Sequence, residues 1–271
     1  MKWLGLTSAA LLIAFSAPAC AEPRVVCTFV QEVGASEPLI REGQDCDKRI
    51  SPASTFKVAI SLMGFDSGVL SSPDEPELPF EKGYVGWRPE WRQTTTPKRW
   101  MRYSVVWFSQ RITEQIGAER FAAYVDAFSY GNEDVSGDKG KTNGLTHAWL
   151  SSSLQISPAE QVAFLTHMVS GELPVSARAV EETKILMENR DRFAGWHVYG
   201  KTGSGLPFGG NGALLKEQPF GWYVGWAEKD NRRVVFARLT RFDERPKGGS
   251  PGGMTRDGLM AELFAKNGPL N

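Results

Sequence analysis

The chain has 271 residues, and its 31 Lys and Arg are balanced by 31 Asp and Glu, so the formal net charge is zero. That balance offers no footing for a nucleic-acid partner or an anionic membrane surface. The length suits one large domain or two intimate lobes, and a 41% hydrophobic content is ample for a buried core.

The N-terminus reads as a secretory signal over residues 1–21. It has a basic Lys2, an apolar run from Leu4 to Phe15 too short to span a bilayer, and the small-x-small pattern Ala19-Cys20-Ala21. Residues 22–271 are then expected in the periplasm; the alternative is a lipoprotein anchored through Cys20. No other segment has the length and apolarity of a membrane span, so stable membrane insertion is not expected. Cleavage leaves Cys27 and Cys46. An even count in an exported protein suggests one disulfide closing a loop of about 20 residues and adding roughly 3 kcal/mol, the other reading being two free thiols.

Two short strands are expected in "RVVCTFVQEV" and "EPLIREG", followed by a helix from about Ser54 to Phe65. Residues 71–103, rich in Pro, Trp and Thr, read as packed loop with short helical pieces. "SVVWFSQRITEQIG" and "AERFAAYVDAF" read as helices parted near Gly117, and "SYGNEDVSGDKGKTNG" is turn-rich. Ser157-Pro158-Ala159-Glu160 is a capping box with proline at the first helical position, and Val162, Leu165, Met168 and Val169 continue at helical spacing. A further helix is expected from Ala177 to Asn189. "GWHVYGKTGSG", "FGWYVGWAEK" and "RRVVFARLTRF" read as strands, the last two turning at Asp230-Asn231. "PKGGSPGG" leads into a final helix, "TRDGLMAELFAK". Strands at both ends with helices between predict an α+β fold. Its antiparallel sheet would be built from both termini (about 22–70 and 190–271), with an inserted helical lobe (about 71–189).

Three short motifs carry candidate chemistry. Ser54-Thr55-Phe56-Lys57 fits S-x-x-K: residues three apart share a helix face, so a weak nucleophile has a base one turn away. A lysine turned inward costs free energy unless something uses it, and it serves as a base only if burial lowers its pKa. Ser104-Val105-Val106 places a hydroxyl at an expected helix start, where it would be an N-cap or a proton relay. Lys201-Thr202-Gly203 ends an expected strand: the first two can bind a carboxylate, and the glycine lets a substrate backbone approach. Each motif alone is common. The ordered set behind a signal peptide matches the S-x-x-K and K-T-G elements of penicillin-recognising serine enzymes, with S-V-V where S-D-N stands in other branches.

With Tyr130-Gly131-Asn132, Trp149-Leu150, "GWRPEW" and "NGLTHAWLSSSLQIS" in place, the chain resembles the class D (oxacillinase-type) serine β-lactamases over its whole mature length. The resemblance implies the penicillin-recognising serine enzyme fold and hydrolysis of small-molecule β-lactams through an acyl-enzyme on Ser54. It implies that Lys57 is the base, N-carboxylated by carbon dioxide, with no other cofactor. Phe56, Val106, Trp149 and Leu150 would keep that pocket dry, and the Trp149 ring N–H would hold the carbamate. Backbone N–H groups of Ser54 and Ser204 would form the oxyanion hole, and Ser104 would relay protons. Lys201, Thr202, Gly203 and Arg256 would receive the substrate, Arg241 and Arg245 being rival arginines. Tyr130-Gly131-Asn132 is either a wall of the cleft or a structural turn.

His147, His167 and His197 have no metal-binding spacing, so no metal site is expected. The tryptophans at 87, 91, 100 and 107 are expected to pack the helical lobe rather than form a ligand platform. The alternatives in function are a β-lactam sensor, or a peptidoglycan transpeptidase or carboxypeptidase that acylates but deacylates slowly. The sequence does not fix an oligomeric state or a substrate range.

Overall fold

Alternation along the strands builds the centre of the molecule. Successive strand side chains point to opposite faces. Phe220, Trp222, Val224 and Trp226 therefore enter one apolar cluster, while Tyr223 and Ala227 of the same strand enter another. Val235, Ala237 and Leu239 divide from Val234 and Phe236 in the same way. The sheet is thus covered on both faces.

The computed structural model describes residues 23–209 and 213–271. The signal reading of residues 1–21 and the Cys20 anchor lie outside the described residues. β1 (Arg24–Glu32) and β2 (Ile40–Glu42) come first, then a 3-10 turn (Ala53–Phe56) that runs into α1 (Lys57–Asp66). Helices α2 (Pro97–Tyr103), α3 (Val106–Ile116), α4 (Ala118–Ala127), α5 (Gly144–His147), α6 (Pro158–Ser170) and α7 (Ala177–Met187) follow. The chain returns through β3 (Glu188–Phe193), β4 (Trp196–Gly205), β5 (Phe220–Lys229) and β6 (Arg232–Arg241), and closes with α8 (Pro251–Leu263). The six strands lie in the order β2-β1-β6-β5-β4-β3, every pair antiparallel. The sheet is therefore drawn from both ends of the chain, and β1 beside β6 joins them. Leu259, Met260 and Leu263 of α8 cover one face. The main cluster, holding α1, α3 and α6, covers the other.

Local signals account for most boundaries. The Ser157 hydroxyl accepts from Glu160 N–H while the Glu160 carboxylate accepts from Ser157 N–H, completing the capping box of α6. Gly117, at φ 84°, separates α3 from α4. Cys27 and Cys46 form a disulfide, which decides between the two cysteine readings.

Three boundaries differ from expectation. The helix from Ala177 stops at Met187, because Glu188 is already paired with Tyr199 as the first residue of β3. The last helix begins at Pro251, inside the Gly-rich run and four residues before Thr255. The Ser250 hydroxyl caps it at Gly253 N–H, and proline at the first position outweighs the poor helix propensity of Gly252 and Gly253. Ser104 is no N-cap. It ends α2 in the left-handed conformation (φ 57°, ψ 40°), and Val105 occupies the N-cap of α3.

Of the four tryptophans, Trp91, Trp100 and Trp107 are buried, and their ring N–H groups donate to Tyr103 O, Ser109 Oγ and Trp91 O. Trp87 is instead 73% exposed, resting on Trp91.

Candidate active site

The S-x-x-K motif straddles the junction of the 3-10 turn and α1. Ala53 turns the chain through the left-handed region (φ 49°), a strained conformation for a residue with a side chain, immediately before Ser54. Ser54 is half-buried, and the Lys57 side chain is fully buried one turn later, its Nζ donating to Ser54 Oγ at 3.3 Å. No carboxylate pairs with Lys57 among the described residues. Burial therefore holds its pKa well below the usual lysine value, and the nearby charge of Lys201 pushes it the same way.

Aromatic rings pack around Phe56, the residue before Lys57. The Trp149 ring lies 5.5 Å from that of Phe56 and 6.3 Å from that of Phe121, fully buried. Val106 is buried and Leu150 half-buried. Two polar atoms stand out against this apolar lining: Trp149 Nε1 and Ser104 Oγ are buried without a hydrogen-bond partner. A buried unpartnered donor or hydroxyl costs free energy, and both atoms are left available to pair with a bound group.

Strand register aims the third motif. On β4 the odd positions face the nucleophile. A Cβ added to Gly203 would lie 3.1 Å from Pro52 O and 3.2 Å from Thr55 N, so the strand backbone runs against the turn that carries Ser54. The even positions face α8: Ser204 Oγ accepts from Gly252 N–H at 2.9 Å, and Thr202 lines a cleft with Arg256. Lys201 is buried, donates to Thr202 O at 2.9 Å, and has its pKa lowered to about 7, first by burial and then by the charge of Arg88.

Arg256 is the one expected arginine that reaches this region, lining the clefts beside Lys201 and Thr202. Arg241 sits at the end of β6, opposite Phe220 and Arg24, and Arg245 donates to Lys216 O; neither lines the two clefts. Tyr130-Gly131-Asn132 is a structural turn and not a cleft wall. Tyr130 is fully buried behind Phe56, ring centroids 5.0 Å apart. Gly131 has φ 63°, with the Gln155 carbonyl oxygen where its Cβ would go, and Asn132 bonds to Ser153 and Gln155. Among the described residues no group of three or more His, Cys, Asp or Glu is placed to hold a metal ion.

Sequence reasoning missed Ser51. Its buried hydroxyl donates to Trp149 O at 2.8 Å and accepts from Ala53 N–H and Ser151 N–H, and its carbonyl accepts from Trp222 Nε1. One serine thereby ties the nucleophile turn, the Trp149 loop and β5 together. Apart from Ala53, its partners lie about a hundred residues or more away, and no local pattern records them. Arg88, Arg102 and Tyr223 also line the clefts without having been singled out.

The arrangement joins an activatable hydroxyl, a buried amine and a cationic strand edge, which suits acyl transfer to an anionic carbonyl substrate. Comparison with known proteins agrees. Residues 35–257 match a family model described as a penicillin binding protein transpeptidase domain. The chain is 44% identical over 242 residues to Beta-lactamase OXA-9 of Klebsiella pneumoniae, covering 88% of this chain and 86% of that protein. It is 42% identical over 192 residues to Beta-lactamase OXA-1 of Escherichia coli, covering 70% and 66%. The crystal structure of OXA-427 class D beta-lactamase superposes with a TM-score of 0.82 at 46% identity, covering 88% of this chain and 96% of that one.

Proposed function

The chain belongs to the class D serine β-lactamases, and on that premise we propose how its residues hydrolyse a β-lactam. The observation that carries the reading is Lys57: fully buried, without a carboxylate, and 3.3 Å from Ser54 Oγ. A solvated lysine would stay protonated; burial and the charge of Lys201 push this one towards the neutral amine, the form whose Nζ can accept the Ser54 proton. Ser54 Oγ then bonds to the lactam carbonyl carbon as the C–N bond breaks. Backbone N–H groups of Ser54 and Ser204 receive the oxyanion, and Ser104 Oγ relays the proton taken by Lys57 Nζ to the leaving nitrogen, which returns Nζ to the neutral amine. Water then adds to the ester carbonyl, giving its proton to the base at Lys57, and that proton returns to Ser54 Oγ as the acyl C–O bond breaks.

Carbon dioxide bound at Lys57 Nζ would supply an anionic general base there for the water step, and the unpartnered Trp149 Nε1 is the donor that would hold it. Phe56, Val106 and Trp149 keep bulk water from that nitrogen. Lys201, Thr202 and Arg256 receive the ring carboxylate, and Gly203 leaves room for the substrate beside the strand. Residues 22–271 act as one catalytic domain in the periplasm once residues 1–21 are removed. Among the described residues no helix is long and apolar enough to cross a membrane.

The test is steady-state hydrolysis of a chromogenic cephalosporin by residues 22–271, with and without bicarbonate. Sustained turnover that falls without bicarbonate and recovers with it supports the reading. A single stoichiometric burst in both conditions points instead to a penicillin-binding or sensor protein. Lys57→Ala should abolish turnover while leaving slow acylation detectable as a mass increase; turnover at the parent rate would sink the base assignment.

A further inference from the structure

Two clefts meet beside the K-T-G strand. The larger, about 970 Å³, lies between α2, the end of α7 and β4; the smaller, about 540 Å³, includes Ser104, Thr202 and the Gly-rich approach to α8. They share Arg102, Tyr103, Thr202 and Arg256. Neither is lined by Ser54 or Lys57, so this space lies beyond the reacting atoms.

Their charge is uneven. Lys98, Arg99, Arg102, Lys201, Arg88 and Arg256 face only three carboxylates, Glu90, Glu188 and Asp257. Some of these cations are already engaged. Arg256 pairs with Asp257 at 2.8 Å, and Arg99 donates to Glu90 O and Gln93 Oε1. Arg88 and Arg102 have no carboxylate partner among the described residues, and both are exposed to the smaller cleft. Arg102 has only the Tyr103 ring, 5.6 Å away. Arg88 is close enough to Lys201 for its charge to help lower the Lys201 pKa. Ser104 Oγ, buried and unpartnered, belongs to the same smaller cleft.

We propose that Arg88 and Arg102 form a second anion subsite, next to the one for the ring carboxylate, which takes β-lactams bearing a second negative group on that side of the molecule. This inference rests on the proposed function, because Thr202, Ser104 and Arg256 fix which end of the substrate enters the cleft. In a cephalosporin the substituent on the carbon adjoining the carboxylate-bearing carbon would extend from Thr202 towards Arg88 and Arg102. An anionic tip there meets cations that lack counter-charges; a neutral tip gains nothing from them.

The test uses two cephalosporins that differ only in that substituent, one ending in a benzenesulfonate and the other in the neutral sulfonamide, each joined through a vinyl link so that it is not expelled. The readout is the ratio of their kcat/KM values. In the Arg88→Gln/Arg102→Gln variant the ratio should fall towards the neutral substrate by about fivefold or more, the scale of one charge pair. Raising the ionic strength should shrink the parent's preference and leave the variant's ratio flat. An unchanged ratio in the double variant, or equal losses on both substrates, would overturn the subsite. If the parent hydrolyses neither compound, the proposed function has failed, and the subsite is judged by calorimetric binding of the same pair to the Ser54→Ala protein. Selective loss of sulfonate affinity on adding Arg88→Gln/Arg102→Gln upholds it; no selective loss refutes it.

Discussion

Gly252 on α8 stands so close to Gly203 on β4 that a Cβ added to it would lie 2.4 Å from the Gly203 carbonyl oxygen. Gly203 in turn presses on the Pro52–Thr55 turn that presents Ser54. Helix, strand and nucleophile turn are stacked closely; at Gly252 only glycine fits, while a Cβ on Gly203 would be a tight contact. Gly252→Ala should therefore cost about 1–3 kcal/mol of stability, the scale of overpacking, and lower kcat/KM as the strand shifts against Ser54. Gly258, in the same helix, has room: its added Cβ meets nothing nearer than an Arg238 guanidinium nitrogen at 3.7 Å. Gly258→Ala should stabilise by about 0.5–1 kcal/mol and leave activity alone. Denaturant melts and kcat/KM on both variants check the contrast; matching effects would mean that the Gly252–Gly203 contact sets no constraint.

Ser104 is held in the left-handed region with its hydroxyl buried and unpartnered, two costs that a purely structural serine would not retain. Ser104→Ala removes the unpartnered hydroxyl. Stability should rise by about 1 kcal/mol, while acylation slows because the leaving nitrogen loses its proton donor. Thermal melting and pre-steady-state acylation rates measure the two effects. A variant that loses stability and keeps its rate would remove Ser104 from the relay.

The strands were legible because their apolar residues alternate with period two, and the antiparallel pairing of β5 and β6 followed from Asp230-Asn231. Ser54, Lys57 and Lys201 were legible as motifs, since their spacing reflects one helical turn and one strand edge. The geometry that motifs omit was not. Ser104 looked like an N-cap because a hydroxyl before an apolar run usually is one, and its left-handed turn is imposed by the join of α2 to α3. Ser51 makes its bonds to residues at positions 149, 151 and 222, which no local pattern records. Tyr130 lies behind Phe56 through contacts across the core. The start of α8 was hidden by glycines whose low helix propensity is offset by Ser250 and Pro251.

The buried lysines make stability depend on pH with a definite sign. Folded Lys201 has its pKa lowered to about 7, whereas an unfolded lysine keeps its proton up to about 10.5, and Lys57 is displaced in the same direction. Between those values the unfolded chain binds more protons, so stability rises with pH, by up to about 1.4 kcal/mol per pH unit for each group. Below the folded values both states are protonated, and the cost of burying the charge stays at its full size. The window from about pH 7 to about pH 9 also avoids tyrosine ionisation. Urea unfolding in bicarbonate-free buffer should show that rise, and Lys201→Met should remove part of it. A flat profile in the parent would mean that these lysines are not held as dry amines.

Trp149 separates a packing role from a chemical one. Trp149→Phe keeps an aromatic ring against Phe56 and Phe121 but deletes Nε1. The smaller ring leaves a void costing about 1 kcal/mol. Removing a buried donor that has no partner returns a similar amount, about 1 kcal/mol or more. Net stability should therefore change by less than about 1 kcal/mol. Catalysis should not be spared, because the donor proposed to hold the carbamate on Lys57 is gone: deacylation should slow, acyl-enzyme should accumulate in the mass spectrum, and more bicarbonate should be needed to restore turnover. A ring that only fills space would give the opposite pattern, with stability falling and the bicarbonate requirement unmoved.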